Sequence, residues 1–234
     1  IIFASSAACA EPASTRLGQP YPTKPIRLLT AEVGGGSDFT ARLISHRLTE
    51  NLGQQIVVDN RTGGVIIGDI ASKAQPDGYT LNFSNQSLLI IPHLYPKGNF
   101  DPLTDLAPLG TVATVPMVMA VSNASGIKDL PALMDYLKRN PGKANFGSGG
   151  PGTTAHLAEA LFLNMNKVDA TLVQYRGTGP ALVDLMSGVI DGIIDQTVTI
   201  MPLNADKRIR AIAVSSPQRL SQLPDVPTFA EGGV

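Results

Sequence analysis

Two glycine-rich loops contain the residue types best suited to chemistry in this chain. The first runs from Gly34 to Asp38 and the second from Gly147 to Thr154, and each directly precedes a predicted helix. The start of a helix offers unpaired amides and the positive end of the helix dipole, which attract a carboxylate or a phosphate. We therefore interpret both loops as anion-binding sites, although a tight turn in which Asp38 caps a helix would also explain the first.

The second loop also satisfies the dinucleotide-binding pattern G-x-G-x-x-G, through Gly147, Gly149 and Gly152. A dinucleotide site additionally needs an acidic residue at the end of the next strand. The next predicted strand, Thr171 to Gln174, is instead followed by Tyr175 to Gly177. Nucleotide binding is therefore the less favoured interpretation, and no cofactor is expected.

Further polar residues lie where open α/β sheets bind ligands. Residues 82–87 end a predicted strand, and Arg176 can meet a carboxylate in a two-pronged contact. Asp191 and Asp195 resemble an acid/base pair by spacing, but we interpret them as structural or wall residues. The candidate ligand-binding residues are Gly34, Gly35, Gly36, Ser37, Asp38, Ser84, Gln86, Ser87, Ser148, Gly149, Gly150, Gly152, Thr153, Thr154, His156, Arg176, Gly177 and Asp195.

The sequence lacks the usual residue patterns of an enzyme. Its three histidines are far apart and show no metal-ligand spacing, and Phe146 occupies the position where a serine nucleophile at Ser148 would need glycine. Cys9 is the single cysteine and lies in the N-terminal apolar run. We expect no catalytic residue and no metal site, while a small-molecule enzyme that uses the same cleft remains an alternative.

Composition restricts the class of protein and its partners. Of the 234 residues, 43% are hydrophobic and 16% are charged, which is typical of a compact globular protein. The formal net charge is −1, and Lys and Arg are scattered along the chain, so nucleic acids and membrane surfaces are poor partners. We expect a monomer.

The N-terminal segment is interpreted as a targeting remnant. Residues 1–10 end in Ala8, Cys9 and Ala10, which is typical of the tail of a signal peptide with its cleavage site. A cloning remnant and lipidation at Cys9 are alternatives, and Ser6 disfavours the second. We expect a periplasmic protein, with residues 11–20 as an extended, proline-containing lead-in.

The elements that must position the loops follow an α/β pattern. Strand Ile26 to Val33, helix Asp38 to Leu52 and strand Gln55 to Asp59 form a βαβ unit, which implies a parallel sheet. The helix places Leu43, Ile44, Leu48 and Leu52 on one face, and Gly53 suits its C-terminal end.

The same order of strand, glycine loop and helix start recurs about a hundred residues later, at the second loop. Two similar lobes, roughly 21–117 and 118–234, are the simplest interpretation. The sequence ends at residues 231–234 without a terminal helix, from which we expect that a C-terminal segment is missing.

Several separate blocks together resemble one known family. They are Tyr21 to Arg27, Gly34 to Asp38 with Ala41-Arg42, Val58 to Arg61, Pro76 to Thr80, Tyr175 to Gly177, and Leu223 to Thr228 followed by Glu231-Gly232. These blocks, in this order from about residue 21 to 234, resemble the receptors of tripartite tricarboxylate transporters, also called the Bug family.

This resemblance implies a type II periplasmic binding protein fold, in which two Rossmann-like lobes close on a ligand through a hinge. It implies that the two glycine loops face each other across an interlobe cleft and hold one carboxylate through backbone amides and ordered waters. Such receptors deliver their carboxylate to membrane permease subunits, and a return segment completes their first lobe. An extracytoplasmic ligand sensor is the remaining alternative.

Overall fold

The computed structural model describes residues 2–5, 21–96 and 100–234, with residues 2–5 described by their backbone alone. The chain divides into two compact units, the first formed by Ile1–Val33 and Ser37–Ala113, the second by Gly34–Gly36 and Thr114–Val234. Most of the predicted signal-peptide remnant, including Cys9, and the whole lead-in lie outside the described residues. Within the described part, none of the helices is both long and apolar enough to cross a lipid bilayer.

The elements alternate between strands and helices, so the predicted α/β class is confirmed. The strands are β1 Ile2–Ser5, β2 Ile26–Thr30, β3 Ile56–Asn60, β4 Thr80–Phe83, β5 Leu106–Gly110, β6 Met117–Ser122, β7 Asn145–Ser148, β8 Thr171–Gln174, β9 Gly192–Gln196 and β10 Ile209–Val214. The helices are α1 Gly36–Leu52, α2 Gly64–Ser72, α3 Ser87–Leu94, α4 Leu130–Arg139, α5 Thr154–Asn166, α6 Thr178–Ser187 and α7 Thr197–Ala205.

Each unit contains one mixed five-stranded sheet. The strand orders are β3-β2-β4-β1-β5 and β10-β6-β9-β7-β8. Strand β1 runs antiparallel to both of its neighbours, and so does β6, whereas the other described strand pairs are parallel. The prediction of a parallel sheet is therefore wrong at one strand in each sheet. Parallel neighbours need a crossover connection, and β6 enters its sheet without a preceding helix in the second unit.

Helix α1 packs on the core through part of the predicted face. Leu43 is 63% exposed and Leu52 is 37% exposed, whereas Ala41 and Ser45 are buried. Ile44 and Leu48 pack against the core of the first unit, as predicted. The buried face is therefore centred on Ala41, Ser45 and Leu48, and the predicted Leu43 and Leu52 lie outside it.

The core of the second unit gives a direct test of its packing. Leu133 of α4 is fully buried in a cluster with Met119 and Phe146. Leu133→Ala is expected to lower the free energy of unfolding by about 2–5 kcal/mol, because the lost side chain leaves a cavity. Chemical denaturation measures this change. Leu161→Ala is the control, because Leu161 is 59% exposed, and an equal loss in both variants would contradict the packing.

Candidate functional site

Three helices of the second unit begin at one edge of its sheet. Strands β7, β8 and β9 are parallel neighbours, so their C-terminal ends lie along the same edge. Helix α5 begins at Thr154, α6 at Thr178 and α7 at Thr197, each being the next helix after one of these strands. The positive ends of three helix dipoles therefore lie at the edge where open α/β sheets bind ligands.

The second glycine loop lies against the start of α6. The Gly177 amide donates to the Gly149 carbonyl at 3.2 Å. A Cβ added to Gly149 would lie 3.3 Å from both the amide nitrogen and the Oγ1 of Thr178. Gly150 has φ 122°, in the region that favours glycine. The loop thus brings its own backbone close to the first amide of α6, as the anion-site interpretation requires.

Side chains of the loop determine how α5 begins. The Thr153 hydroxyl accepts from the His156 amide at 3.3 Å and donates to the Gly150 carbonyl at 2.8 Å. The His156 Nδ1 accepts from the Gly152 amide at 3.1 Å. These bonds give Thr153 and His156 partners inside the loop and hold the helix start in one shape.

The Thr154 hydroxyl is the polar group of this loop that lacks a partner among the described residues. Thr154 is 9% exposed, and its Oγ1 is buried. A buried hydroxyl without a hydrogen bond costs free energy, so such groups normally meet a ligand or a water. Its position at the first residue of α5 makes this hydroxyl, with the nearby amides, a candidate anion donor.

Other predicted residues of the second unit have different surroundings. Ser148 is fully buried, and its hydroxyl donates to Gln174 Oε1 at 2.9 Å, which joins β7 to β8. Arg176 is exposed and forms no ion pair with any described acid. Asp191 accepts from the Asn145 amide at 2.8 Å, which is a structural role.

Two buried carboxyl groups lie beneath the helix starts. Asp195 is 4% exposed and accepts from the Thr199 hydroxyl at 3.1 Å; its burial raises its pKa to about 6. Glu159 is 1% exposed; burial first, and then the nearby Asp195 charge, raise its pKa to about 9. Glu159 Oε1 accepts from the Ile194 amide at 3.2 Å, and Oε2 has no partner among the described residues. Glu159 was not among the predicted residues, because only the packing of α5 on β9 buries it.

In the first unit, the first loop and the segment after β4 are joined by hydrogen bonds. Asn85 Nδ2 donates to the Ser37 hydroxyl at 3.3 Å, and Asn85 Oδ1 accepts from the Ser87 hydroxyl at 2.6 Å. The Ser84 hydroxyl donates to Asn82 Oδ1 at 2.6 Å, while Gln86 is exposed. Ser37 and Ser87 therefore share Asn85 as a partner, while Ser84 bonds separately to Asn82.

Asp38 acts differently from the predicted helix cap. Helix α1 begins at Gly36, so Asp38 lies inside its first turn, where a negative charge suits the dipole. Its Oδ1 accepts from Asn60 Nδ2 at 2.9 Å and pairs with Arg42 Nε at 2.8 Å.

Two buried groups of the first unit lack partners within the described chain. They are Thr30 Oγ1 and Asn82 Nδ2, at the C-terminal ends of the parallel neighbours β2 and β4. Thr30 was not among the predicted residues, because nothing in its sequence neighbourhood distinguishes it from an ordinary strand end.

Within the described ranges, no group of three or more His, Cys, Asp and Glu side chains could hold a metal ion.

Curated proteins of similar sequence are longer than this chain. A protein of the tcbD-tcbE intergenic region of Pseudomonas sp. (strain P51) is 39% identical over 214 residues, which cover 90% of this chain and 64% of the relative. Protein BugT of Bordetella pertussis is 35% identical over 237 residues, which cover 99% of this chain and 72% of BugT. The chain thus spans 64% of the length of the first of these relatives.

Solved structures share its fold. The periplasmic binding protein BugD is 30% identical with a TM-score of 0.86, over 91% of this chain and 72% of BugD. Rpa4515 of R. palustris, solved with adipate, is 33% identical with a TM-score of 0.84, over 92% and 73%. MatC of Rhodopseudomonas palustris, solved with bound malate, is 29% identical with a TM-score of 0.83, over 91% and 74%.

The likeness to the periplasmic binding protein BugD confirms the predicted fold type. Residues 40–234 also match the family model described as the tripartite tricarboxylate transporter family receptor. The match covers most of the chain, and the resemblance of the sequence blocks is thereby confirmed. The chain belongs to the tripartite tricarboxylate transporter receptor family.

Proposed function

We propose that the protein is a periplasmic solute-binding protein that captures a small organic carboxylate and delivers it to the membrane subunits of a tripartite transporter. The observation that carries this proposal is the unpartnered Thr154 hydroxyl at an edge where three helices begin. Backbone amides at a helix start and a hydroxyl are donors that bind a carboxylate. The function proposed is therefore that of a carrier, in line with the family to which the chain belongs.

The ligand residues proposed in the second unit are those of the glycine loop and the helix starts beside it. Gly149 lets a carboxylate approach the Thr178 amide, and Thr154 supplies a hydroxyl. Arg176 is exposed, so it can add a charge-assisted bond at the rim. In the first unit, Ser37 and Asp38 lie in the first turn of α1 and stay among the proposed ligand residues.

The ligand proposed here is a small di- or tricarboxylate. Support comes from relatives whose solved structures contain adipate and malate, which are both dicarboxylates. Amides at a helix start recognise the carboxylate itself, so the remaining wall of the site selects among such acids.

A thermal-shift screen of the purified chain tests the proposal. The panel contains mono-, di- and tricarboxylates, aromatic acids and acidic amino acids. A ligand at one hundred times its Kd is expected to raise the melting temperature by about 5–10 °C, because it binds only the folded state. Calorimetric titration then gives the Kd and the stoichiometry.

Two outcomes would count against the carrier. No shift with any member of the panel would contradict carboxylate binding. Recovery of a chemically altered acid after incubation, measured by NMR, would instead support the enzyme alternative. An unaltered acid bound at one molecule per chain is the expected result.

A further inference from the structure

The turn that joins α7 to β10, together with the first residues of β10, carries a concentration of positive charge. Lys207, Arg208 and Arg210 are three cations within four residues, and all three are exposed. We predicted that Lys and Arg are scattered along the chain, and this prediction is wrong at this turn. The exposed Asp206 offsets one of these charges, so a local surface of net positive charge exists here although the whole chain has a formal net charge of −1.

These cations differ from those of the first unit in their pairing. Every Lys and Arg that the structure describes in the first unit forms an ion pair with an acid; these are Lys24, Arg27, Arg42, Arg47, Arg61 and Lys73. Lys207, Arg208 and Arg210 have no ion pair with any acid of the described chain; the cations paired in the second unit are Arg139 and Arg219. Their charge is thus available to a partner.

The turn is held in a single conformation. Lys207 has φ 57°, which is uncommon for a residue other than glycine. Its amide donates to the Asn204 carbonyl at 3.0 Å, and its carbonyl accepts from Asn123 Nδ2 at 2.9 Å. The Arg208 amide donates to the Leu203 carbonyl at 2.9 Å. A partner would therefore meet cations on an ordered backbone, which lowers the entropic cost of binding.

A shallow, open pocket lies beside this turn. Its volume is about 400 Å³, and it is lined by Asn123, Asn204, Lys207, Ile209 and Arg210. Asn204 Oδ1 accepts from the Ala211 amide at 2.8 Å, which leaves the Asn204 Nδ2 donors without a partner among the described residues. Two cations and an amide donor in one cavity match the acceptor oxygens of a carboxylate.

The sheet edge beside the pocket is closed to strand addition. Strand β10 is an edge strand, and such edges can pair with another chain. Here the Ala211 amide is taken by Asn204, and Val214 bonds through its amide and its carbonyl to Pro227 and Phe229. Side-chain charge is therefore the feature of this edge that a partner would recognise.

We propose that the Lys207–Arg210 turn and the pocket beside it form a docking surface for an acidic segment of a partner protein. Arg208 is not part of the pocket lining, so the positive surface extends beyond the cavity and suits an extended segment better than a small ion. Complementary charge of this kind speeds encounter and selects the partner. The proposal does not depend on the carboxylate ligand proposed above.

A labelled peptide of alternating Glu and Gly residues is the probe, and fluorescence anisotropy at low salt measures its Kd with the whole chain. Lys207→Glu/Arg210→Glu is expected to weaken binding by about tenfold or more, because two attractive charges become repulsive. The matched control, Lys138→Glu/Lys143→Glu, makes the same change of charge at two other exposed residues of the same unit. It is expected to alter the Kd less than about twofold.

Several results would overturn the docking surface. The first is that the peptide does not bind to the unaltered chain, and the second is that both double variants weaken binding equally. The third is that inorganic phosphate at equal concentration displaces the peptide, which would indicate a small-anion pocket. Cations near the end of α7 also stabilise the helix, so melting temperatures are measured in parallel. If the charge-reversed variant is destabilised, Lys207→Gln/Arg210→Gln replaces it; unchanged peptide binding in that variant would equally refute the proposal.

Discussion

Replacing Gly149 with valine is expected to weaken carboxylate binding by about 100-fold or more, because the side chain blocks the approach of the anion to the Thr178 amide and the charge-assisted bonding there is lost. A Cβ at this position would already lie 3.3 Å from the Thr178 amide nitrogen. The γ-methyl groups of valine add further bulk at the place where the proposed ligand meets the start of α6. Isothermal titration with the dicarboxylate selected by thermal shift measures the loss.

The control for this substitution is a glycine with free space around it. A Cβ added to Gly110 meets no atom within 4 Å, so Gly110→Val is expected to keep the wild-type Kd. A gentler variant, Thr154→Val, keeps the side-chain volume and removes the unpartnered hydroxyl, with an expected weakening of about tenfold. Circular dichroism verifies that the variants are folded. Wild-type affinity in both Gly149→Val and Thr154→Val would refute the proposed ligand position.

The glycine loops could be predicted from sequence because their signal is local. Gly150, with φ 122°, and Gly53, with φ 66° after α1, occupy conformations that other residues avoid. Thr153 bonds to an amide three residues away, so its capping role is also encoded nearby. Such features depend on neighbours in the chain, and a sequence pattern can reveal them.

Helices α2 and α7 were not predicted because their sequences resemble strands. Helix α2 reads GVIIGDIAS and α7 reads TVTIMPLNA, with a proline inside the latter. β-Branched residues favour strands on average, and tertiary packing overrode that preference here. The residues of β6 likewise do not indicate that it runs antiparallel, since its direction depends on where the strand enters the sheet.

The buried polar groups could not be predicted for a related reason. Glu159 lies on a helix whose sequence, TAHLAEALFLNMN, does not indicate which face is covered. Its burial follows from the contact of α5 with β9, and so does its proximity to Asp195. Thr30 and Asn82 become notable only because β2 and β4 are neighbours in the sheet.

Replacing Glu159 with glutamine is expected to stabilise the protein at neutral pH and to flatten the dependence of its stability on pH. Burial raises the pKa of Glu159 to about 9 in the folded state, from 4.5 for the free side chain. Between pH 4.5 and 9 the carboxyl is therefore ionised in the unfolded chain but protonated in the folded protein. The free energy of unfolding of the wild type falls as the pH rises through this range. Between these two values the loss is about 1.4 kcal/mol for each pH unit. Guanidinium unfolding at a series of pH values from 5 to 9 measures both curves.

The amide of the introduced glutamine reproduces the shape of the protonated carboxyl and can still accept from the Ile194 amide, so Glu159→Gln creates no cavity. Asp195, whose burial raises its pKa to about 6, adds a smaller decline of the same sign below that pH in both proteins. Glu50→Gln is the matched control, because the side chain of Glu50 is 51% exposed; its curve should parallel the wild type. A Glu159→Gln variant that is less stable than the wild type at pH 8 would show that Glu159 is charged and paired in the folded protein. The difference between the two curves should vanish near pH 4.5, where Glu159 is protonated in the folded state and half protonated in the unfolded chain.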